Sequence, residues 1–502
     1  MKVTLPLYLK TLLRRIDLFN LGVSSMLVLC AMFLVPPILM SLRIGPDAVA
    51  GVAKYVSLRS VLYSALGIAA FAAGYWLWAR PVSRGVITPN EGTLWNERRV
   101  FWVCLASFAL GFAVKIYHVV DGSYQSYMYA STDSPLSVFK FFISLNLLHY
   151  IALALAFTHY YALLARGDDR SRRWGAISWS LFGFYLLCGL LAPDGILGTL
   201  APILIHLVTR QYLYEKSNAR IMLAAVVVLA LIFPLKNITR DMANLTSYAG
   251  NELIVDTRLP WNGRDVLDLA LNGARGENPV KAGHIMEPLL ENSGRLIADT
   301  ALGRIGQAHI FGIIVDRYRD RDFLQGRTIP FFLTWLWVPR EVVERVMGAS
   351  GTDYFALESG LVNDFLTGVG WTNLGDWYQN FGLTGVIGGM MLIGFAFRFI
   401  HRRLTVNASV AGIFAYSLLW ITLMHGSEQS LAAALGESLR LIVILYGFCW
   451  LLDTKRKTST NAFPLHSDTL LTAGPRPITK LHQYAHRTRS ADARKYTANR
   501  QP

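Results

Sequence analysis

Apolar residues run along this chain in stretches long enough to cross a hydrocarbon layer as helices, at 18–42, 61–79, 100–120, 138–165, 174–192, 196–209, 221–235, 380–400, 406–424 and 432–452. The pattern predicts an all-α, polytopic transmembrane bundle of about ten spans. The sixth and seventh runs are short, and Pro193, Gly195 and Pro202 suggest a broken hairpin at the fifth and sixth. Between the seventh and eighth, residues 236–379 mix polar and apolar positions and read as one large loop. The expected organisation is therefore seven spans over 1–235, a loop over 236–379, three spans over 380–452 and a polar tail over 453–502.

Within the loop the pattern changes twice. Residues 237–294 are rich in Gly, Pro and Asn and read as irregular chain with short helical turns. From 294 to 318, Leu296, Ile297, Leu302, Ile305, His309, Ile310, Ile313 and Ile314 return at three- and four-residue steps, which predicts a helix. Residues 328–338 are almost wholly apolar with two Trp; the segment is too short to span, and suits the outer interface or a dip into the bilayer. Pro339 and Arg340 end it, and 341–347 predicts a second helix broken by Gly348 to Gly351.

Composition agrees: 53% of residues are hydrophobic, 16% are charged, and the mean hydropathy is +0.36. Basic residues cluster in every second connection, before the first span (Lys10, Arg14, Arg15) and around 80–99, 166–173, 210–220 and 398–403. Positive charge is retained on the cytoplasmic side, so both termini are expected inside and the large loop outside. The large loop holds 12 Arg and 2 Lys against 18 Asp and Glu, while the tail holds ten Lys and Arg against three Asp. The net charge of +15 thus follows topology and not nucleic-acid binding. Cys30, Cys104, Cys188 and Cys449 all fall in apolar runs, so neither a disulfide framework nor a thiolate metal site is expected. The first run lacks a small-x-small site behind it and reads as a retained anchor.

An outward loop on such a protein has no ATP to draw on, so a synthetic reaction there needs a substrate already activated. A lipid-linked diphosphate sugar fits, and arginine is its expected partner because the guanidinium stays charged and bonds two phosphate oxygens at once. Arg304, on a largely apolar helix, and Arg340, after the Trp-bearing segment, are the best placed to hold the donor and its leaving group. Pairing with one of the loop's acidic residues is the alternative for either.

An acceptor hydroxyl needs a base. Asp376 is the first candidate, with Glu358, Asp353 and His309 as rivals; His309 could also donate to phosphate. Asp376 also suits an N-cap for the eighth span. Trp377 and Tyr378 could stack on sugar rings or serve as interfacial aromatics, while Asn380 and His425 complete the candidate binding set. Gly382, Gly385, Gly388 and Gly389 predict close helix contact, and Glu437 with Arg440 predicts an ion pair in the last span. No metal-ligand spacing recurs in the early outer loops.

The order Gly326, Ile329-Pro330, Val338-Pro339-Arg340, Thr372, Gly375-Asp376, Tyr378, Asn380-Phe381-Gly382 and Gly385 resembles the oligosaccharide repeat-unit polymerases of bacterial surface polysaccharides, the O-antigen polymerase type, over about residues 294–388. The resemblance implies a membrane glycosyltransferase with essential outer-face arginines and no required metal or other cofactor. It would transfer a growing glycan from undecaprenyl diphosphate onto a new lipid-linked repeat unit, beside membrane lipids, a repeat-unit flippase and a chain-length regulator. Asp376 stands where the relatives more often carry Glu, and Pro193-Asp194-Gly195 replaces their basic mid-chain pair. A glycan ligase, and a transporter or flippase for a lipid-linked sugar, are the alternatives. A transporter predicts related halves and ionisable residues in several spans.

Overall fold

The computed structural model describes residues 17–41, 56–77, 95–120, 145, 147–191, 196–214, 307–338, 340–347, 372–405, 409–427 and 429–452. All lie in the unit Met1–Asp453, with Thr454–Pro502 forming a second. Among the described residues there is no strand. The helices are α1 (Leu21–Phe33), α2 (Val35–Ser41), α3 (Leu58–Trp76), α4 (Glu97–Val120), α5 (Leu148–Ala165), α6 (Ser171–Leu191), α7 (Ile196–Leu213), α8 (Ala308–Arg317), α9 (Arg340–Met347), α10 (Asn373–Thr405), α11 (Val410–Gly426) and α12 (Leu431–Leu452), with a 3₁₀ segment at Ile329–Leu336.

Among the described residues, five stretches are long and apolar enough to cross a membrane: Leu21–Ile38, Leu58–Trp76, Leu148–Ala165, Asn373–Thr405 and Leu431–Leu452; α11 is a shorter apolar helix. The expected runs at 100–120, 174–192 and 196–209 are the helices α4, α6 and α7, and the run at 221–235 lies outside the described residues. The first run bends where Pro36 and Pro37 enter the first turn of α2, because proline has no N–H to continue the ladder of α1.

Helix starts are set by short polar side chains that take the free amides of the first turn. Asn20 Oδ1 accepts from Gly22 N at 3.1 Å, Ser57 Oγ from Ser60 N at 3.2 Å, and Ser409 Oγ from Gly412 N at 3.0 Å. The tightest pairing of spans is α3 against α10. Gly74 faces the backbone of Met391, and Gly394 faces the backbone of Phe71 and Tyr75, so that a Cβ at either would collide with main chain. Close backbone approach through small residues is how helices associate where lipid removes the hydrophobic gain of packing.

The bundle has two distinct ends. At one, Trp95 packs on Phe414 with ring centroids 5.7 Å apart, Arg170 meets Glu97 at 3.3 Å, and Tyr212 donates to Asp17 at 3.1 Å. The guanidinium of Arg170 holds the Asp168 carboxyl down to about 2. At the other, Phe33 meets Phe311 at 6.1 Å, Gln307 N donates to Met32 O at 3.0 Å, and Tyr63 lies 5.7 Å from Tyr378. The described pieces of the large loop thus gather at the end opposite the basic connections.

Candidate functional site

The site is built around a break in α10. Gly382 has φ 65° and ψ −153°, outside helical geometry, so the short piece from Asn373 to Phe381 turns away from the long span that follows. A break in a helix leaves carbonyls without partners, and buried carbonyls must find them. The stretch before the 3₁₀ segment supplies them: Leu324 N donates to Gln379 O at 2.9 Å and Gln325 N to Asn380 O at 3.0 Å. Gly326 follows with φ 87°, a conformation glycine adopts freely, and its N–H reaches Asn380 Oδ1 at 3.0 Å.

Asp376 is the centre of this latch. Its side chain is wholly buried, with Oδ1 accepting from Thr328 Oγ1 at 2.8 Å, Gln379 Nε2 at 2.6 Å and Asn380 Nδ2 at 3.2 Å. Oδ2 accepts from Leu431 N at 2.8 Å. The expected cap is therefore made in a different place: α10 has already begun at Asn373, and the carboxylate caps α12 across the junction. The role of base that the sequence suggests for Asp376 also meets a physical obstacle, because both oxygens are occupied and no face is open to an acceptor hydroxyl. Asn380, expected to bind substrate, spends its amide within the latch, giving Nδ2 to Thr328 Oγ1 at 2.6 Å and Asp376 O at 2.8 Å.

The aromatic candidates are packed as well. Tyr378 is 6% exposed and lies between Tyr63, Phe311 and Phe323, which leaves no ring face for a sugar. Trp377 is half-buried and folds over Gly389, while its carbonyl faces Gly385. Those two glycines, expected to admit a neighbouring helix, instead admit the folded-back start of their own, and Gly382 makes the turn. His425, half-buried near the end of α11, is brought beside the latch by the bond from Asn373 Nδ2 to Gly426 O at 2.8 Å. His309 is half-buried near the start of α8, on the same end of the bundle. Arg304, Glu358 and Asp353 lie outside the described residues.

From Thr328 the chain enters the 3₁₀ segment, with Pro330 in its first turn, and packs along α12. Gly436 makes room for Trp335 and the Phe332 carbonyl, and the Arg440 guanidinium lies 5.8 Å from the Trp335 ring centroid. Gly436 is five residues past the start of α12, so the segment lies against that helix about 7.5 Å along it at the helical rise. The expected Glu437–Arg440 pair gives way to this junction, with Glu437 accepting from Gln429 Nε2 at 3.3 Å. Trp337, at φ 65°, turns the chain back out, and Arg340 opens α9.

Sequence reasoning missed Thr328, Gln379 and the Leu431 amide. Gln379 and Asn380 follow Asp376 by three and four, which places them beside it on a helix, and that spacing was the available signal. Gly382→Val tests the break. A branched side chain at positive φ is strained, and its Cβ would lie 2.8 Å from the Phe323 ring. Unfolding of the detergent-solubilised protein should show a loss on the order of 2–4 kcal/mol. Unchanged stability would mean that the span runs straight through this point.

Among the described residues no group of three His, Cys, Asp or Glu side chains is placed to hold a metal. Compared with protein-family models, with curated proteins and with solved structures, the chain finds no match.

Proposed function

We propose that this protein is a membrane glycosyltransferase that polymerises undecaprenyl-diphosphate-linked oligosaccharide repeat units into a surface polysaccharide, at the outer face of a bacterial inner membrane. In this reading the bundle has about ten spans, with both termini in the cytoplasm and residues 236–379 outside. One observation carries the proposal. Three of the residues that resemble the polymerase family, Gly326, Asp376 and Asn380, meet in one buried latch, and the latch anchors the start of the 3₁₀ segment that precedes Arg340. The segment supplies a lipid-depth wall for an isoprenoid, and Arg340 stands where that wall returns to headgroup level.

Arg340, joined by Arg304, holds the donor diphosphate and stabilises its charge as the bond to the anomeric carbon breaks. The acceptor hydroxyl of the next lipid-linked unit attacks that carbon, its proton passes to a nearby base, and undecaprenyl diphosphate leaves. With Asp376 committed to the latch, the base is sought among His309, His425, Glu358 and Asp353. The partners of this reading are the lipid-linked substrate, membrane lipids, a flippase that delivers repeat units and a regulator of chain length.

A lipid-linked-oligosaccharide transporter is the second reading, favoured by the broken helix, a feature transporters use to build midplane sites. Deleting the gene separates the two. A polymerase deletion leaves surface glycans of one repeat, restored to a ladder by the wild-type gene. A transporter deletion removes even single repeats and traps lipid-linked units on the inner face.

A further inference from the structure

At the basic end of the bundle, α4 and α6 run side by side in the same direction. Trp174 Nε1 donates to Glu97 Oε1 at 3.0 Å near their starts, and deeper in, Phe184 lies 6.0 Å from Phe108 and 5.0 Å from Phe112. Helix α5 covers the inner side of this seam, where Cys104 Sγ donates to Ala152 O at 3.2 Å and the His159 ring meets Trp174 at 4.5 Å. The outer side carries two rows. Arg98, Trp102 and Leu105, at steps of four and three, lie on the face of α4 turned away from Cys104, while Arg173, Ser180 and Phe184, at steps of seven and four, lead along α6 to the Phe108 contact.

Both arginines are exposed, and neither guanidinium has a hydrogen-bond or ion-pair partner among the described residues. The neighbouring acids are engaged elsewhere: Arg170 bridges Glu97 Oε2 at 3.3 Å and Asp168 Oδ2 at 2.6 Å, and the exposed Asp169 bonds to neither arginine. Arg99 and Arg172, also exposed and unpaired, add positive charge on either side. Below the charges the seam turns apolar, with Trp102, Leu105 and Phe184 57%, 43% and 46% exposed.

We propose that the outer seam between α4 and α6 binds an anionic phospholipid of the leaflet at this end, with Arg98 and Arg173 on its phosphate and an acyl chain along Leu105 and Phe184. Two guanidinia, one from each helix, can clamp a phosphate through paired N–H bonds. The uncovered apolar row beneath them continues in the direction a hydrocarbon chain takes from its headgroup, a feature that a soluble anion or an acidic peptide would leave unused. A zwitterionic lipid brings its own cation to the arginines, so the site selects for net negative charge.

Native mass spectrometry of the purified full chain in detergent, titrated with phosphatidylglycerol or phosphatidylcholine, tests this. Wild type should retain phosphatidylglycerol in preference, and Arg98→Gln with Arg173→Gln should weaken that binding about fivefold for each arginine removed. Arg402→Gln with Arg403→Gln, an exposed basic pair at the same end on α10, should keep the preference. Should the first pair fold poorly, judged by melting in detergent, Arg98→Gln alone carries the comparison. Equal retention of the two lipids by wild type, undiminished phosphatidylglycerol binding in the Arg98 and Arg173 variants, or an equal loss in the Arg402 and Arg403 pair would overturn the proposal. So would displacement of the lipid by glycerol phosphate at matched concentration, which would show that the acyl chain contributes nothing.

Discussion

A strain whose only copy carries Arg340→Ala should display surface glycans of a single repeat, at protein levels equal to wild type. The expectation rests on position. Arg340 opens α9 just after the αL turn at Trp337 that ends the 3₁₀ segment, and in the proposed reading that point lies between the lipid-facing wall and the outer solution. A diphosphate leaving group carries charge that grows as its bond breaks, and a bidentate guanidinium stabilises that charge in a way a point cation does not. Arg340→Lys should accordingly recover only part of the ladder. A full ladder from Arg340→Ala would remove this residue from the chemistry, while leaving the latch and the re-entrant segment in place.

Asp376→Ala should produce the largest loss of stability in the molecule. Removing the carboxylate strands the Thr328 hydroxyl, the Gln379 amide and the Leu431 N–H in a buried site. Each orphaned donor costs about 1–3 kcal/mol, so a total of roughly 3–9 kcal/mol is expected from denaturation in detergent. Asp376→Asn, which keeps one acceptor, should lose less. The same experiment separates structure from catalysis. A variant that melts with wild type yet makes no polymer would return Asp376 to the role of base and contradict the latch.

The helices were legible because apolar length acts over whole segments, and one or two odd residues do not change it. The 3₁₀ segment was legible in kind, since an apolar run with two Trp and too few residues to cross has few places to go. Its descent along α12 was not, because that depends on Gly436, a residue whose only signal is the lack of a side chain. The break at Gly382 was hidden for a related reason: glycine permits both close packing and positive φ, and only the partners of Gln379 O and Asn380 O tell which is used. Asp376 was found as a special residue but given the wrong neighbour. A carboxylate ahead of a span caps its own helix by local logic, whereas here a long-range contact to Leu431 takes precedence.

The most direct measurement reconstitutes the purified protein in vesicles with an undecaprenyl-diphosphate-linked repeat unit labelled in its sugar, without nucleotide sugars or any other protein, and follows product length. The account predicts glycans of two and more repeats on the lipid, with one undecaprenyl diphosphate released for each linkage made. Label that crosses the bilayer but stays at one repeat would contradict the polymerase reading and identify a transporter.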